Sequence, residues 1–332
     1  MHNWKKILIA TVSAAIILAA AAFAIWWTPP SSTNHATEEG TIAEEQPTHV
    51  TVVDDLGREI LIEEPPNRIV SMAPSLTEIL FALGVGDKIV GVTEACNYPP
   101  EAQEIEKIHE AFGDYNVEKI VELDPDLVVM DRFLDLGVSP GSWLSKLEEV
   151  GLVVVVVYPK TFDDVFSNIE LIGQATWAQE NATNLVNTLE LRVQAVMDKV
   201  ENVSEDEKPR VFSTNYYDGK DDPWTSGYGT FADDVIRIAG GINVVGIKSG
   251  FFQMSLEALV WSDPEIIIVL EDDKYLTYTY DYLTRDDRLQ DMTAMRNDAV
   301  YEIDASLLSR AGPRLVDGLE ETAKILHPEL FQ

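Results

Sequence analysis

The sequence predicts an α/β protein with two lobes, each containing a mainly parallel sheet, joined by one long rigid helix. Continuous β-branched runs such as DLVVMD and GLVVVVVYP alternate with helical segments, which is typical of parallel strands covered on both faces. Apolar residues recur at helical spacing over residues 161–200 without a proline, which predicts the connecting helix. Since pockets concentrate between lobes, we expect a ligand cleft there.

The N-terminal residues 1–27 are interpreted as a membrane anchor. Lys5 and Lys6 precede an apolar stretch, Ile7–Trp27, that as a helix would cross a hydrocarbon layer of about 30 Å. Positive residues stay in the cytoplasm, so the rest of the chain is expected on the extracytoplasmic face. The alternative is a signal peptide cleaved near Ala22-Phe23-Ala24, which would leave a secreted or periplasmic protein.

The remaining chain divides by composition. Residues 28–49 are rich in Pro, Ser, Thr and Glu and are predicted to be a disordered tether. Residues 50–160 alternate strands and helices and form the first lobe. Residues 161–207 are assigned to the connecting helix, and residues 208–332 resume the strand and helix pattern with RVFSTNY, FADDVIRIAG, SLEALVWS and EIIIVL. These form the second lobe.

Charge and composition exclude several functions. The chain carries 57 acidic and 24 basic residues, a formal net charge of -33, which would repel nucleic acid. Cys96 is the only cysteine, so no intramolecular disulfide or multi-cysteine metal site can form. The five histidines are scattered, and no nucleophile motif stands out. We expect no catalytic residue, no bound metal and no cofactor.

The segment SMAPSLTEILFALG leaves two interpretations open. Ser75 and Glu78 are spaced as a capping box, in which each side chain bonds a backbone N–H at a helix N-terminus, worth about 1 kcal/mol. The same glutamate could instead meet a partner protein. The spacing alone does not separate the two.

Several separate motifs together resemble one family. RIVSMAPSLTEILFALG, NYPPEAQEIEKI, VEKIVELDPDLVV, WTSGYGTFADDVIRIAGGIN, MSLEALVWSDPEIII, RAGPRL and LHPELF occur in that order over residues 50–332. They resemble the substrate-binding proteins of ABC importers for vitamin B12, iron-siderophores and haem, the class with a rigid helical spine. The likeness is greatest to the vitamin B12 type, which implies a corrinoid ligand.

The resemblance implies a monomeric, non-enzymatic receptor that captures a small molecule and delivers it to an ABC permease and its ATPase subunits. A ferric siderophore or haem bound by the same fold is the first alternative. An enzyme or a metal-assembly scaffold built on the same lobes is the second, from a different class.

The resemblance also implies particular residues. Glu78 and Glu257, one on each lobe, would dock into arginines of the permease, although Glu257 could simply complement a helix dipole. A flat corrin edged with amides suits aromatic faces and a few donors. The matching ligand-binding positions are Tyr98, Phe112, Trp224, Phe251 and Arg310. Each aromatic could instead be structural, and Arg310 could pair with one of many acids.

Overall fold

The computed structural model describes residues 49–108, 115–132, 142–272 and 278–332. The described residues belong to one compact unit. The predicted anchor, residues 1–27, and the tether up to residue 48 lie outside the described residues. Among the residues that are described, no helix combines the length and the apolar character needed to cross a membrane.

The first lobe contains an antiparallel strand pair and a four-stranded parallel sheet. Its strands are β1 (Val50–Val53), β2 (Glu59–Ile62), β3 (Ile69–Ser71), β4 (Ile89–Val92), β5 (Leu127–Asp131) and β6 (Val154–Val157). β1 pairs with β2, and the parallel sheet has the order β4-β3-β5-β6. The β-branched runs predicted as strands form β5 and β6, and both are almost wholly buried, as expected for parallel strands with two covered faces.

Within the described residues of this lobe, four α-helices accompany these strands. They are α1 (Pro74–Ala82), α2 (Val117–Glu122), α3 (Trp143–Glu149) and α4 (Phe162–Ala175). α4 starts with a capping box formed by Thr161 and Asp164. Its Asn168 donates a hydrogen bond to Asp55 at 2.7 Å, and the helix packs against β1, so α4 belongs to the first lobe.

The helix that connects the lobes is shorter than the predicted residues 161–207, because that segment forms two helices. α4 ends at Ala175, and α5 (Gln179–Val200) begins after a short break at which Trp177 has a left-handed backbone, with φ of 58°. A Cβ at Gly173 would lie 2.3 Å from the Cβ of Ala182, so the glycine lets α5 cross α4 closely. Of these two helices, α5 connects the lobes, whereas α4 belongs to the first lobe.

α5 is attached at both ends. Near its start, Asn181 donates to the carbonyl oxygen of Leu83 at the end of α1. Further along, Arg192 forms ion pairs of 2.6 Å and 2.8 Å with Asp317 and Glu320 of the second lobe. A helix of this length spans about 33 Å at 1.5 Å per residue, and these contacts make it the rigid spine that the sequence predicted.

The second lobe has a mixed sheet. Its strands are β7 (Arg210–Tyr216), β8 (Trp224–Ser226), β9 (Ile242–Asn243), β10 (Phe251–Gln253), β11 (Ile266–Glu271) and β12 (Val300–Asp304). β9, β11 and β12 run parallel to their neighbours, whereas β8 pairs antiparallel with β7 and β10. The helices are α6 (Phe231–Ile238), α7 (Leu256–Ser262), α8 (Thr279–Arg285), α9 (Thr293–Arg296), α10 (Ala305–Ser309) and α11 (Leu315–Leu326).

One hydrophobic cluster runs through both lobes. It joins one face of each sheet to α1, α4, α5 and α11. Two further clusters cover the opposite faces of the two sheets. Each sheet is therefore buried on both sides, and the lobes share a continuous core along the spine, which opposes large relative rotations of the lobes.

Candidate functional site

Glu78 does not form the capping box that its spacing with Ser75 allows. Helix α1 begins at Pro74, its N-cap residue is Ala73, and no side chain caps it. Proline suits this first position because its missing N–H would have no partner there. Ser75 therefore lies inside the first turn, and Glu78 projects from the helix toward the second lobe.

The carboxylate of Glu78 is buried between two arginines of the second lobe. Arg310 Nη1 donates to Glu78 Oε1 at 3.0 Å, while Arg314 donates through Nε to Oε2 at 3.0 Å and through Nη2 to Oε1 at 2.8 Å. The Glu78 side chain is only 2% exposed, and those of Arg310 and Arg314 are 18% and 15% exposed. We call these three residues the interlobe latch.

Further contacts hold Arg310 and Arg314 against the first lobe. Arg310 also donates to Asn97 Oδ1 at 2.8 Å and to the carbonyl oxygen of Ala95 at 3.3 Å. Burial alone would lower the pKa of Arg314, but the hydrogen bond and negative charge of Glu78 raise that pKa above its ordinary value. The latch is charged and directly joins the two lobes.

Docking into arginines of the permease, as the resemblance implies, requires Glu78 and Glu257 both to face outward. Glu78 does not face outward in this structure, because two arginines of the same chain bind its carboxylate. Glu257 does lie exposed in the first turn of α7, after Ser255, whose hydroxyl accepts the Ala258 N–H. Within the described part of the chain, no cation pairs with Glu257. The docking role of both glutamates stays a prediction.

Tyr98 lies beside the latch. Its ring is half exposed, and the guanidinium carbon of Arg314 lies 4.0 Å from its centroid, a cation–π contact. Tyr98 therefore presents an aromatic face where the two lobes meet.

A cavity of about 200 Å³ opens beside Arg310 in the second lobe. It lies at the carboxyl ends of the parallel strands β7, β11 and β12, where ligands bind in open α/β sheets. Arg310 and Phe251 both line it, and polar groups are contributed by Asn215, Ser226 and Asp272. Two of the predicted ligand-binding residues thus meet in one pocket.

Trp224 lies next to this pocket. In the antiparallel pair of β8 and β10, Phe251 is opposite Ser226 and Gln253 is opposite Trp224. Residues two apart on a strand share a face, so Trp224 lies on the same side of the sheet as Phe251, about 7 to 8 Å away on the diagonal. Both rings are partly exposed, unlike the core residue Thr225 between them.

Phe112, the remaining predicted ligand contact, lies outside the described residues. Arg314 and Asn97 are contacts that the sequence reasoning missed. The motif RAGPR contains a second arginine four residues after Arg310, which was the available signal for Arg314. For Asn97 no local pattern exists, because its partner is more than two hundred residues away.

The sequence model of the periplasmic binding protein family matches residues 69–307. This chain belongs to that family. Across 85% of the chain it is 32% identical to YvrC of Bacillus subtilis, an uncharacterised ABC transporter substrate-binding lipoprotein, of which 87% is covered. The family consists of transport receptors that work with an ABC permease and its ATPase, so the alternative of an enzyme on the same lobes is excluded.

Two similar solved structures indicate which type of substrate-binding protein this is. The chain is 28% identical to the periplasmic vitamin B12-binding protein BtuF of Vibrio cholerae, with a TM-score of 0.66 and coverage of 81% of this chain and 99% of that one. It is 26% identical to the periplasmic haem-binding protein RhuT of Roseiflexus sp. RS-1, with a TM-score of 0.69 and coverage of 80% and 99%. The chain is a substrate-binding protein of the vitamin B12, haem and siderophore type.

The described residues offer no group of three or more His, Cys, Asp or Glu side chains arranged to hold a metal ion. Cys96 is buried, with its sulfur 3.1 Å from the hydroxyls of Thr77 and Thr93. It is a small core residue, and it lies between Ala95 and Asn97, the two residues that Arg310 contacts.

Proposed function

We propose that this receptor captures a corrinoid between its lobes and delivers it to an ABC permease. The observation that carries the proposal is the grouping of exposed aromatic faces at the cleft. Phe251 lines the pocket of the second lobe, Trp224 lies on the same sheet face as Phe251, and Tyr98 lies on the first lobe beside the latch. The likeness to the vitamin B12-binding protein of Vibrio cholerae supports the corrinoid.

The size of the pocket constrains how such a ligand binds. Pockets for drug-sized ligands have volumes of about 300 to 1,000 Å³, and the cavity beside Arg310 measures about 200 Å³. A corrin ring is too large to enter it. The ring would lie against Phe251 and Trp224, while one peripheral amide side chain enters the polar cavity.

Haem is the second candidate. The chain is similar to RhuT, which is a haem-binding protein, and haem requires an axial ligand such as tyrosine or histidine. Tyr98 is exposed at the lobe junction and could supply the phenolate. A bound haem would show a Soret band that changes when Tyr98 is replaced by phenylalanine.

Calorimetric titration of the purified full-length protein decides among the ligands. Cyanocobalamin, haemin and a ferric hydroxamate siderophore are titrated in turn, and we expect heat with cyanocobalamin. Absence of binding by cyanocobalamin, together with saturable binding of haemin or the siderophore, would replace the corrinoid by that ligand. No binding by any of the three would reject this ligand class.

A matched pair of variants locates the site. Phe251→Ala removes an aromatic face that is half exposed beside the pocket, and we expect cyanocobalamin affinity to fall by roughly 2- to 13-fold, since ring stacking is worth about 0.5 to 1.5 kcal/mol. Tyr301→Ala removes a partly exposed aromatic near the start of β12, at the opposite edge of the sheet. Equal losses in both variants would place the ligand elsewhere.

For docking, we propose that Glu257 is available in the described state and that Glu78 becomes available when the latch opens. While the latch is closed, Arg310 and Arg314 bind Glu78, and on docking an arginine of the permease would replace them. Charge reversal at Glu257 should leave ligand affinity unchanged and abolish stimulation of the transporter ATPase. Unchanged stimulation would return Glu257 to the role of a helix-dipole partner.

We also propose that the receptor works on the extracytoplasmic face, held by residues 1–27. The relative YvrC is named a lipoprotein, whereas here residues 28–49, directly after the apolar stretch, contain no cysteine that could carry a lipid. N-terminal sequencing of the protein from membranes tests this. A start after Ala24 would show a cleaved signal peptide, and an intact start with resistance to carbonate extraction would support the anchor.

A further inference from the structure

Helix α7 presents an exposed face that carries both charge and apolar surface. Glu257, Val260 and Trp261 lie on it, whereas Leu259 points into the core. Trp261 is 89% exposed, the highest value for any aromatic side chain in the described ranges. Residues 257 and 261 are one helical turn apart, so their Cβ atoms lie about 5 to 6 Å from each other.

The fold does not explain this tryptophan. Among the described residues no aromatic ring or cation stacks on Trp261, and its indole gains nothing from the hydrophobic core. A tryptophan next to an exposed valine and an exposed carboxylate is instead a composition that protein interfaces use, since tryptophan and arginine dominate the binding energy of such surfaces.

The chemistry of the pair selects its partner. A carboxylate accepts two parallel N–H bonds from a guanidinium, and an indole face attracts a planar cation. A lysine ammonium fits the carboxylate but lacks the planar fork and stacks less well. The net charge of -33 opposes binding to anionic lipid and favours a cationic protein surface.

We infer that Glu257 and Trp261 together bind one arginine side chain of the permease, with Trp261 stacked on the guanidinium that Glu257 holds. The inference rests on the proposed docking function and adds to it an aromatic residue and a preference for arginine over lysine. Val260 covers the aliphatic part of the same arginine.

The test uses the full-length receptor and a permease with its ATPase in nanodiscs of uncharged lipid, chosen because the wild-type receptor stimulates its ATPase. Trp261→Ala should raise the receptor concentration needed for half-maximal stimulation by roughly 2- to 30-fold, the range expected for a cation–π contact. Trp261→Phe should keep part of the affinity. Leu191→Ala, at a spine residue that is 72% exposed, is the control and should match the wild type.

Wild-type behaviour of Trp261→Ala would overturn the inference while leaving the docking function in place. The inference would also be overturned if Trp261→Ala lost as much binding to nanodiscs that contain lipid alone as it loses with the permease, because Trp261 would then contact the membrane. If the wild-type receptor stimulates no permease of this class, the docking function itself fails and the inference fails with it. Ligand affinity, measured by calorimetry, should be equal in all four proteins.

Discussion

Replacing Arg314 by alanine should open the interlobe latch and expose Cys96 to thiol reagents. Arg314 makes two of the three hydrogen bonds that Arg310 and Arg314 donate to the buried carboxylate of Glu78. The loop that contains Cys96 is held by Arg310 through Ala95 and Asn97 on either side of it. When the latch opens, this loop loses its contacts with the second lobe.

The size of the effect follows from these contacts. A hydrogen bond to a charged group contributes about 1.5 to 3 kcal/mol. The free energy lost with these two bonds is partly offset for two reasons. In the closed state Glu78 keeps its ion pair with Arg310, and in the open state its carboxylate is hydrated. We therefore expect the closed state to lose about 2 to 3 kcal/mol, which makes opening roughly 30- to 160-fold more frequent.

The assay is the rate at which Cys96, the only thiol in the chain, reacts with a colorimetric disulfide reagent under native conditions. In the wild type the residue is 1% exposed, so labelling requires opening. Leu289→Ala is the control, since it removes a fully buried side chain from the core cluster on the far face of the second sheet. Two results would refute the role of the latch. One is labelling of Arg314→Ala at the wild-type rate. The other is labelling of Arg314→Ala no faster than that of Leu289→Ala when both variants have lost the same stability.

Two further predictions concern the stability of the fold. Gly173→Ala places a Cβ 2.3 Å from that of Ala182 and should lower the free energy of unfolding by about 1 to 3 kcal/mol, which is measured as a lower Tm. Adding Ala182→Gly should recover part of this loss. A Tm of Gly173→Ala equal to that of the wild type would contradict the close helix crossing. The pKa of Asp286 lies below its ordinary value, chiefly because Arg288 donates hydrogen bonds to it, with a smaller contribution from Tyr217. A lowered carboxyl pKa stabilises the fold above about pH 4, the pKa of an unfolded aspartate, and this stability is lost as the pH falls toward the folded pKa. In Tm scans between pH 7 and pH 2, Asp286→Asn should therefore be less stable than wild type at neutral pH, with a difference that shrinks in acid; a constant difference would argue against the shift.

The sequence predicted the parallel strands and several helices closely. β5 and β6 lie within the runs DLVVMD and GLVVVVVYP, and β11 extends only one residue beyond the run EIIIVL, because the buried positions of a strand with two covered faces are apolar. Glu257 was also placed correctly in the first turn of its helix, since Ser255 and the following apolar residues are a local signal. Family membership followed from the order of several motifs.

The same local reasoning failed where distant residues decide the outcome. The apolar spacing continues across Trp177, so periodicity could not reveal the break that the packing of α4 against α5 imposes. Ser75 and Glu78 matched a capping box by spacing, yet the helix starts at Pro74, two residues earlier than that box requires.

The sequence by itself determined the two-lobed fold, the family and the residue types available to the cleft. Only the tertiary structure decided what Glu78 does, because the arginines that neutralise it are 232 and 236 positions further along the chain. A local sequence pattern predicts which face of a helix is buried. The partner of a buried charge instead depends on how the two lobes pack together.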